Sequence, residues 1–170
     1  MNAEAAAALA RLGWAVVPVW DVRESTCACG GRCASPGKHP LGTLASHGFK
    51  DATRDLATVR RWWTRRPRAN VGVATGAVSG VVVLDVDPRH DGDASLAALE
   101  RAFSPLPLTV EARTGGGGRH LYFASPASPL ASRGAMRPGL DLKAEGGYVV
   151  APPSVHASGA RYDWRPGQGP

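Results

Sequence analysis

The 170-residue sequence lacks the features that mark several large classes of protein. It contains no apolar run of about 18 residues or more, so we expect no transmembrane helix. Its N-terminus has Glu4 and no basic segment before the alanines, which argues against a secretory signal. Cysteine is limited to three residues between positions 27 and 33. Such an odd, clustered set fits a metal site in a reducing compartment better than a disulfide framework, so we expect a cytoplasmic protein.

The composition is that of a folded domain. Hydrophobic residues make up 44% of the chain, while the 21 glycines and 14 prolines indicate many turns and short elements. Lysine and arginine exceed aspartate and glutamate by 20 − 14 = +6, a charge that favours polyanionic partners. We expect one domain over residues 1–165, with a loop inserted at 21–50 and a flexible tail or linker at 166–170.

Apolar spacing and turn residues predict an α+β (mixed α/β) fold. The predicted helices cover 3–12, 53–66 and 94–103. The predicted strands cover 14–20, 70–75, 80–87, 109–113, 119–124, 140–143 and 148–151. The helix at 53–66 has an apolar face with two tryptophans, expected in the core, beside a face rich in arginine. That basic face fits either a surface that binds a nucleic-acid template or an ordinary solvated face.

One apolar strand ends in two carboxylates, Asp85 and Asp87. Because alternate residues of a strand share a face, the two would project together about 7 Å apart. Their mutual repulsion would be relieved by a divalent cation such as Mg²⁺ or Mn²⁺. The alternative is that both acids simply end the strand and lead into a turn.

A glycine-rich segment at 114–118 forms the turn of a predicted hairpin. Glycines such as Gly116 and Gly117 let backbone N–H groups approach a phosphate closely. The flanking side chains of Arg113, Arg119 and His120 could donate to a triphosphate. The segment matches neither a P-loop nor a Rossmann fingerprint. The alternative is a flexible turn next to a core histidine.

A third acid, Asp141, lies between two leucines in a predicted strand. An acid in such surroundings needs a partner, and a metal held by Asp85 and Asp87 would provide one. Lys143 falls on the same face and is a candidate phosphate ligand. The alternative is that Asp141 pairs with Lys143 or with an arginine.

The cysteines fall within a loop that has no apolar periodicity. Its C-x-C-x3-C-x5-H spacing offers four zinc ligands, Cys27, Cys29, Cys33 and His39. Three thiolates and one imidazole complete a closed tetrahedral shell, which is typical of structural zinc. Such a site would also order a loop that has little core of its own. His47 is an alternative to His39 as the fourth ligand.

The order of these motifs resembles the archaeo-eukaryotic primase superfamily, and most closely the N-terminal prim-pol domain of bifunctional DNA primase/polymerases. The stretches that carry the resemblance are N-V-G-V-A-T-G at 70–76, V-L-D-V-D at 83–87, G-G-G-R-H-L-Y-F at 116–123, G-L-D-L-K at 139–143 and G-G-Y-V-V-A-P-P-S at 146–154. C-A-C-G and C-A-S-P-G-K-H-P, up to position 40, resemble a cysteine-containing insertion of many members. The resemblance implies a primase-polymerase catalytic core with a modified RNA-recognition-like sheet, beside a small N-terminal α/β part.

The resemblance also implies roles for individual residues. Asp85 and Asp87 match the metal-binding acids of the first motif, His120 the phosphate-contacting histidine of the second, and Asp141 the acid of the third. Many members have a small polar residue two positions before that histidine, where this chain has Gly118. The implied reaction is two-metal nucleotidyl transfer from a dNTP or NTP to a 3′-hydroxyl on a DNA template, with Mg²⁺ or Mn²⁺ for catalysis and Zn²⁺ for structure.

The expected partners are a DNA template and primer, a dNTP or NTP, and a helicase or an accessory primase domain, with no membrane. One alternative is a non-catalytic nucleic-acid-binding zinc module related to such enzymes. A second is a D-x-D phosphatase of the haloacid-dehalogenase kind, which requires Thr or Val where this chain has Arg89. A D-x-D glycosyltransferase would usually need a longer chain.

Overall fold

The computed structural model describes residues 1–170 as three α-helices and three β-sheets. The helices are α1 (Asn2–Arg11), α2 (Leu56–Arg65) and α3 (Gly92–Ala102), and short 3-10 turns occupy Gly48–Asp51 and Pro88–His90. The strands are β1 (Val16–Val19), β2 (Val22–Arg23), β3 (Thr26–Cys27), β4 (Asn70–Ala74), β5 (Val81–Val86), β6 (Val110–Arg113), β7 (Arg119–Ala124), β8 (Arg133–Arg137), β9 (Leu140–Lys143), β10 (Tyr148–Ala151) and β11 (Asp163–Trp164). This mixed α+β architecture confirms the predicted fold class.

The larger sheet has six antiparallel strands in the order β11-β6-β7-β5-β9-β8. Helix α3 covers one face of it, where Leu96 packs with Leu84 of β5 and Leu121 of β7. The opposite face contributes Val83 and Tyr122 to the main core of the protein. Because side chains alternate along a strand, Asp85 shares this second face with Val83, and His120 shares it with Tyr122. Helix α3 does not cover either residue.

The smaller sheet has three antiparallel strands in the order β1-β4-β10. Helices α1 and α2 share the main hydrophobic cluster with one face of this sheet and with the inner face of the larger one. The Trp14 ring stacks on Tyr122, with centroids 5.1 Å apart, and so joins the two parts. The two tryptophans of α2, Trp62 and Trp63, are both buried, which confirms their prediction as core anchors.

Most predicted elements are present with shifted ends. Helix α2 begins three residues later than predicted because the Asp55 carboxylate accepts a hydrogen bond from the Thr58 N–H at 2.8 Å and caps the helix at that point. Sequence patterns missed β2, β3, β8 and β11, which are short or largely exposed and so lack apolar alternation. Gln168, within the predicted tail, exchanges hydrogen bonds with the β6 region. None of the helices is long and apolar enough to span a bilayer.

Candidate active site and metal cluster

The register of the larger sheet places three of the predicted site residues side by side. Asp85 of β5 lies directly opposite His120 of β7 on one side and opposite Asp141 of β9 on the other. Cross-strand partners project from the same face of a sheet, so the three side chains form a row across neighbouring strands. The His120 Nε2 atom lies 3.6 Å from Asp85 Oδ1. Residues that are far apart in sequence thus meet where β5 ends.

Asp87 follows β5 and is held by its own turn. The Arg89 guanidinium donates to both carboxylate oxygens, through Nε to Oδ1 at 3.0 Å and through Nη2 to Oδ2 at 2.8 Å. The His90 Nδ1 atom lies 3.1 Å from Oδ2. These contacts, those of Arg89 foremost, hold the pKa of the Asp87 carboxyl well below its usual range. Asp87 is therefore ionised at neutral pH and paired with Arg89.

Asp141 is also ionised and paired. Its Oδ2 accepts a hydrogen bond from Lys143 Nζ at 2.8 Å, and its Oδ1 accepts one from the Ala135 N–H at 2.7 Å. Burial acts to raise the pKa of Asp141, but these two donors outweigh it and lower the pKa below the ordinary value. The Asp87 charge opposes them weakly.

Asp87 and Asp141 therefore each have a cationic partner, which offsets their charges without a metal, whereas Asp85 has only the His120 ring beside it. The alternative partner that the sequence suggested for Asp141, namely Lys143, is the one observed. Carboxylate oxygens are the ligands that Mg²⁺ and Mn²⁺ prefer, and Asp85 and Asp141 are directly opposite each other in the sheet. Two buried polar atoms on this face, His120 Nδ1 and Tyr122 Oη, make no hydrogen bond within the protein.

His120 is buried and its imidazole is neutral at pH 7. Burial lowers its pKa, and the charge of Asp85 opposes that shift without reversing it. The neutral ring carries one N–H that can donate a hydrogen bond and one nitrogen that can accept one. His120 can therefore offer a donor to a phosphate oxygen without the cost of burying a charge.

The glycine-rich segment forms the β6–β7 hairpin, as predicted. The Gly118 N–H donates to Thr114 Oγ1 at 2.9 Å and closes the turn. A Cβ atom at Gly118 would lie 2.6 Å from the Val86 carbonyl oxygen, so the backbone of β5 leaves no room for a side chain there. The small polar residue that many family members carry at this position could not be added without shifting one of the two strands.

Two of the predicted phosphate ligands lie elsewhere. The Arg119 guanidinium pairs with Asp93 of α3 at 2.6 Å, on the sheet face opposite His120. Arg113 is the cross-strand partner of Arg119 and so shares that face. Neighbouring positions in a strand point to opposite faces, so Arg113 and Arg119 do not share the sheet face of His120. Their role as phosphate ligands stays a prediction.

The site opens into two adjoining recesses of about 50 and about 300 Å³. Both are lined by Asp85 and His120 together with two residues that sequence reasoning missed, Lys38 and Tyr162. The smaller recess also contains Asp87, Arg89, Thr114, Gly116 and Gly118, and the larger one contains Lys143 and part of β10. Gly117 lies at the tip of the hairpin with a positive φ of 88° and lines neither recess.

A second cluster of ligand atoms lies in the cysteine loop. The ligand atoms of Cys27, Cys29, Cys33 and His39 all fall within 4.8 Å of one another, and Cys27 Sγ is 3.2 Å from His39 Nε2. No disulfide joins the cysteines. This Cys3His group has the composition and the spacing that bind zinc in a closed tetrahedral shell. Zinc bound there would cross-link the loop to β3, on which Cys27 lies.

The fourth ligand can be tested by two matched substitutions. His47 Nδ1 lies 2.9 Å from Asp51 Oδ1 and is outside the cluster. We expect His39→Ala to lose most of the bound zinc and His47→Ala to keep about one equivalent. Metal analysis of the dialysed proteins would measure both. Full zinc retention by His39→Ala would contradict the assignment.

Burial of His120 is expected to make the free energy of unfolding depend on pH. An unfolded histidine has a pKa of about 6.5, whereas burial lowers the pKa of His120 in the folded protein. The unfolded state therefore binds a proton that the folded state excludes, and stability falls as the pH drops below about 6.5. At about pH 5.5 the loss from this residue is up to about 1.4 kcal/mol.

Thermal or urea unfolding between about pH 7.5 and about pH 5.5 would measure this loss. His120→Gln should weaken the dependence of stability on pH. A part of the dependence should remain, because burial also lowers the pKa of His156. An equally steep dependence in His120→Gln would contradict the assignment of a neutral buried imidazole.

Comparison with known proteins places the chain in a family. No significant match was found among curated proteins. The family model of the bifunctional DNA primase/polymerase N-terminal domain matches residues 5–170, nearly the whole chain. The match includes the Asp85–His120–Asp141 row and the Cys3His loop. Since one family model covers both features and the strands that carry them, the chain belongs to the prim-pol family of bifunctional DNA primase/polymerase N-terminal domains.

Proposed function

We propose that the chain is a template-dependent nucleotidyl transferase, in which the 3′-hydroxyl of a primer strand attacks the α-phosphorus of a dNTP or NTP and pyrophosphate leaves. Family membership supports a primase/polymerase function in general terms. The observation that supports this specific reaction is the register that sets Asp85 between His120 and Asp141, next to a cation-lined recess. Carboxylates and phosphate-binding cations in one space are what phosphoryl transfer requires.

In this proposal Asp85, Asp87 and Asp141 would hold two divalent cations. Bound Mg²⁺ or Mn²⁺ would supply charge neutralisation at the triphosphate and a more acidic primer hydroxyl. To serve as ligands, Asp87 must release Arg89, and Asp141 must release Lys143, from their present ion pairs. The released Arg89 and Lys143 are then free to contact phosphate oxygens. Their positive charges would then offset the triphosphate, while the divalent cations offset the carboxylates.

The remaining residues position the nucleotide. His120 donates one hydrogen bond to a phosphate oxygen from a fixed, buried ring. The backbone around Gly116, which lines the smaller recess and has no side chain, allows a phosphate to approach the hairpin closely. Tyr162 lines the same recess and limits its width. Together they would orient the triphosphate for in-line attack by the primer hydroxyl.

DNA is the proposed polymeric partner. The exposed arginines of α2 and of the turns flanking it supply phosphate contacts without sequence preference. These residues are Arg54, Arg60, Arg61, Arg65, Arg66 and Arg68. A helicase or an accessory primase domain remains a proposed further partner.

The experiment is a primer-extension and priming assay with dNTPs and NTPs supplied separately, in Mg²⁺ and in Mn²⁺. Parallel gel-shift measurements use the same template. We expect incorporation that depends on the divalent cation and on the template. A gel shift without incorporation under every condition would instead favour a non-catalytic nucleic-acid-binding zinc module, and the proposal would be wrong.

A further inference from the structure

Lys38 brings a positive charge from the cysteine loop into the site. It lines both recesses, together with Asp85, His120 and Tyr162. The other lysine in these recesses, Lys143, is paired with a carboxylate. Lys38 has no carboxylate within ion-pair distance, so its ammonium is the one lysine charge here that the protein leaves unneutralised.

Two hydrogen bonds hold the backbone of the cysteine loop at Gly37 and Lys38. The Gly37 carbonyl accepts from Asn70 Nδ2 at 3.1 Å, and the Lys38 carbonyl accepts from Tyr148 Oη at 2.7 Å. Gly37 is buried with a φ of +72°, and a Cβ atom there would lie 2.5 Å from a Val22 methyl group. The chain therefore passes the site at a fixed distance in a conformation that favours glycine.

The residue that follows Lys38 is tied down as well. The His39 carbonyl accepts a hydrogen bond from the Trp20 N–H at 3.1 Å, while its imidazole belongs to the Cys3His group. Zinc in that group would hold His39 from the side-chain end. The backbone at Lys38 is thus held by β4 at Gly37, by β10 at Lys38 itself and by Trp20 at His39, although it belongs to a loop with little core.

The positive charge of Lys38 affects two histidines near the recesses, His120 and His156. Burial lowers the pKa of both His120 and His156, and the Lys38 ammonium lowers each of them further. His156 lies beside the glycine-rich hairpin, where its ring would be 3.5 Å from a Cβ atom on Gly116. The Lys38 ammonium is therefore close enough to act electrostatically on His120 inside the recesses and on His156 beside the hairpin.

We infer that Lys38 is a nucleotide-binding residue, whose ammonium pairs with the phosphates of the incoming nucleotide opposite the glycine-rich hairpin. This inference rests on the proposed function, since it assumes that a triphosphate occupies the recess. A lysine is a flexible point charge that can follow a polyphosphate, and it needs no carboxylate to be displaced first. The Cys3His loop thereby contributes a ligand to the catalytic half of the domain.

The test is nucleotide affinity, measured by fluorescence anisotropy with a fluorescently labelled dATP in Ca²⁺, which permits binding without turnover. We expect Lys38→Ala to weaken binding about ten-fold or more and Lys38→Arg to restore most of the affinity. Lys50→Ala is the matched control, because this substitution also removes one lysine charge but Lys50 lies outside both recesses. Unlabelled dATP and deoxyadenosine as competitors show whether the loss is specific for phosphates.

The outcomes separate this inference from the proposed function. Equal affinity of Lys38→Ala and the parent protein would overturn the role of Lys38, even if the parent extends primers. A loss of dATP affinity without a loss of deoxyadenosine affinity supports it, even if the parent extends none. Zinc content and melting temperature of each variant show whether the loop is intact, and Lys38→Gln, which removes the charge but keeps a long side chain, replaces Lys38→Ala where that variant proves unstable.

Discussion

Asp85→Asn is expected to reduce divalent-cation-dependent nucleotide incorporation by at least about a thousand-fold. Asp85 occupies the centre of the row, with His120 on one side and Asp141 on the other. Asparagine has nearly the same shape but no charge, so the fold should persist while the shared metal ligand is lost. Primer extension in Mg²⁺ and Mn²⁺ measures the effect, with circular dichroism and melting temperature as measures of folding.

The chain offers a matched control for this substitution. Asp93 of α3 is an aspartate of the same domain whose partner, Arg119, lies on the opposite face of the sheet. Asp93→Asn should therefore leave incorporation within about two-fold of the parent, since loss of an exposed ion pair costs little. If Asp85→Asn incorporates nucleotides as fast as Asp93→Asn, the carboxylate row is not the site of chemistry.

His120→Gln is expected to raise the KM for the nucleotide by about ten- to a hundred-fold, with a smaller effect on kcat. A hydrogen bond to a charged phosphate contributes about 1.5–3 kcal/mol, and the buried ring is fixed in place before the nucleotide binds. Glutamine keeps a donor but not the position of the imidazole N–H. Steady-state primer extension over a range of nucleotide concentrations separates KM from kcat.

His47→Gln provides the comparison for His120→Gln. His47 is exposed and contacts Asp51, away from both recesses. Substitution of His47 should change neither the KM for the nucleotide nor kcat. An unchanged KM in His120→Gln, with normal metal dependence, would show that the ring packs in the core without touching the nucleotide.

The sequence predicted the parts of the fold that have strong local patterns. Apolar strands such as β5 and the amphipathic helix α2 are visible in their periodicity, and the ends of β7, β9 and β10 agree with the structure. Asp85 and Asp141 were predicted as site residues because each is an acid in an apolar strand, and His120 because it follows the glycine-rich turn and matches the histidine of the second motif. Their side-by-side arrangement comes from the register of the sheet. The four members of the Cys3His group were visible in their spacing alone.

What the sequence could not provide is strand order and side-chain direction. Arg119 adjoins His120, and only the registered sheet shows that the two point to opposite faces. Lys38 is 47 positions from Asp85 in the sequence, and its place in the site depends on β4, β10 and the cysteine loop coming together. Arg89 was visible as a neighbour of Asp87, but its two-point contact with both carboxylate oxygens depends on the turn after β5.

The central claim is that the carboxylates at the end of β5 and on β9 bind divalent cations together with a nucleotide. Anomalous diffraction from crystals grown with Mn²⁺ and a non-hydrolysable dNTP tests it most directly. We predict manganese bound by Asp85, Asp87 and Asp141, with Arg89 and Lys143 released from Asp87 and Asp141. Manganese bound elsewhere, or a nucleotide bound while both ion pairs stay closed, would contradict the account.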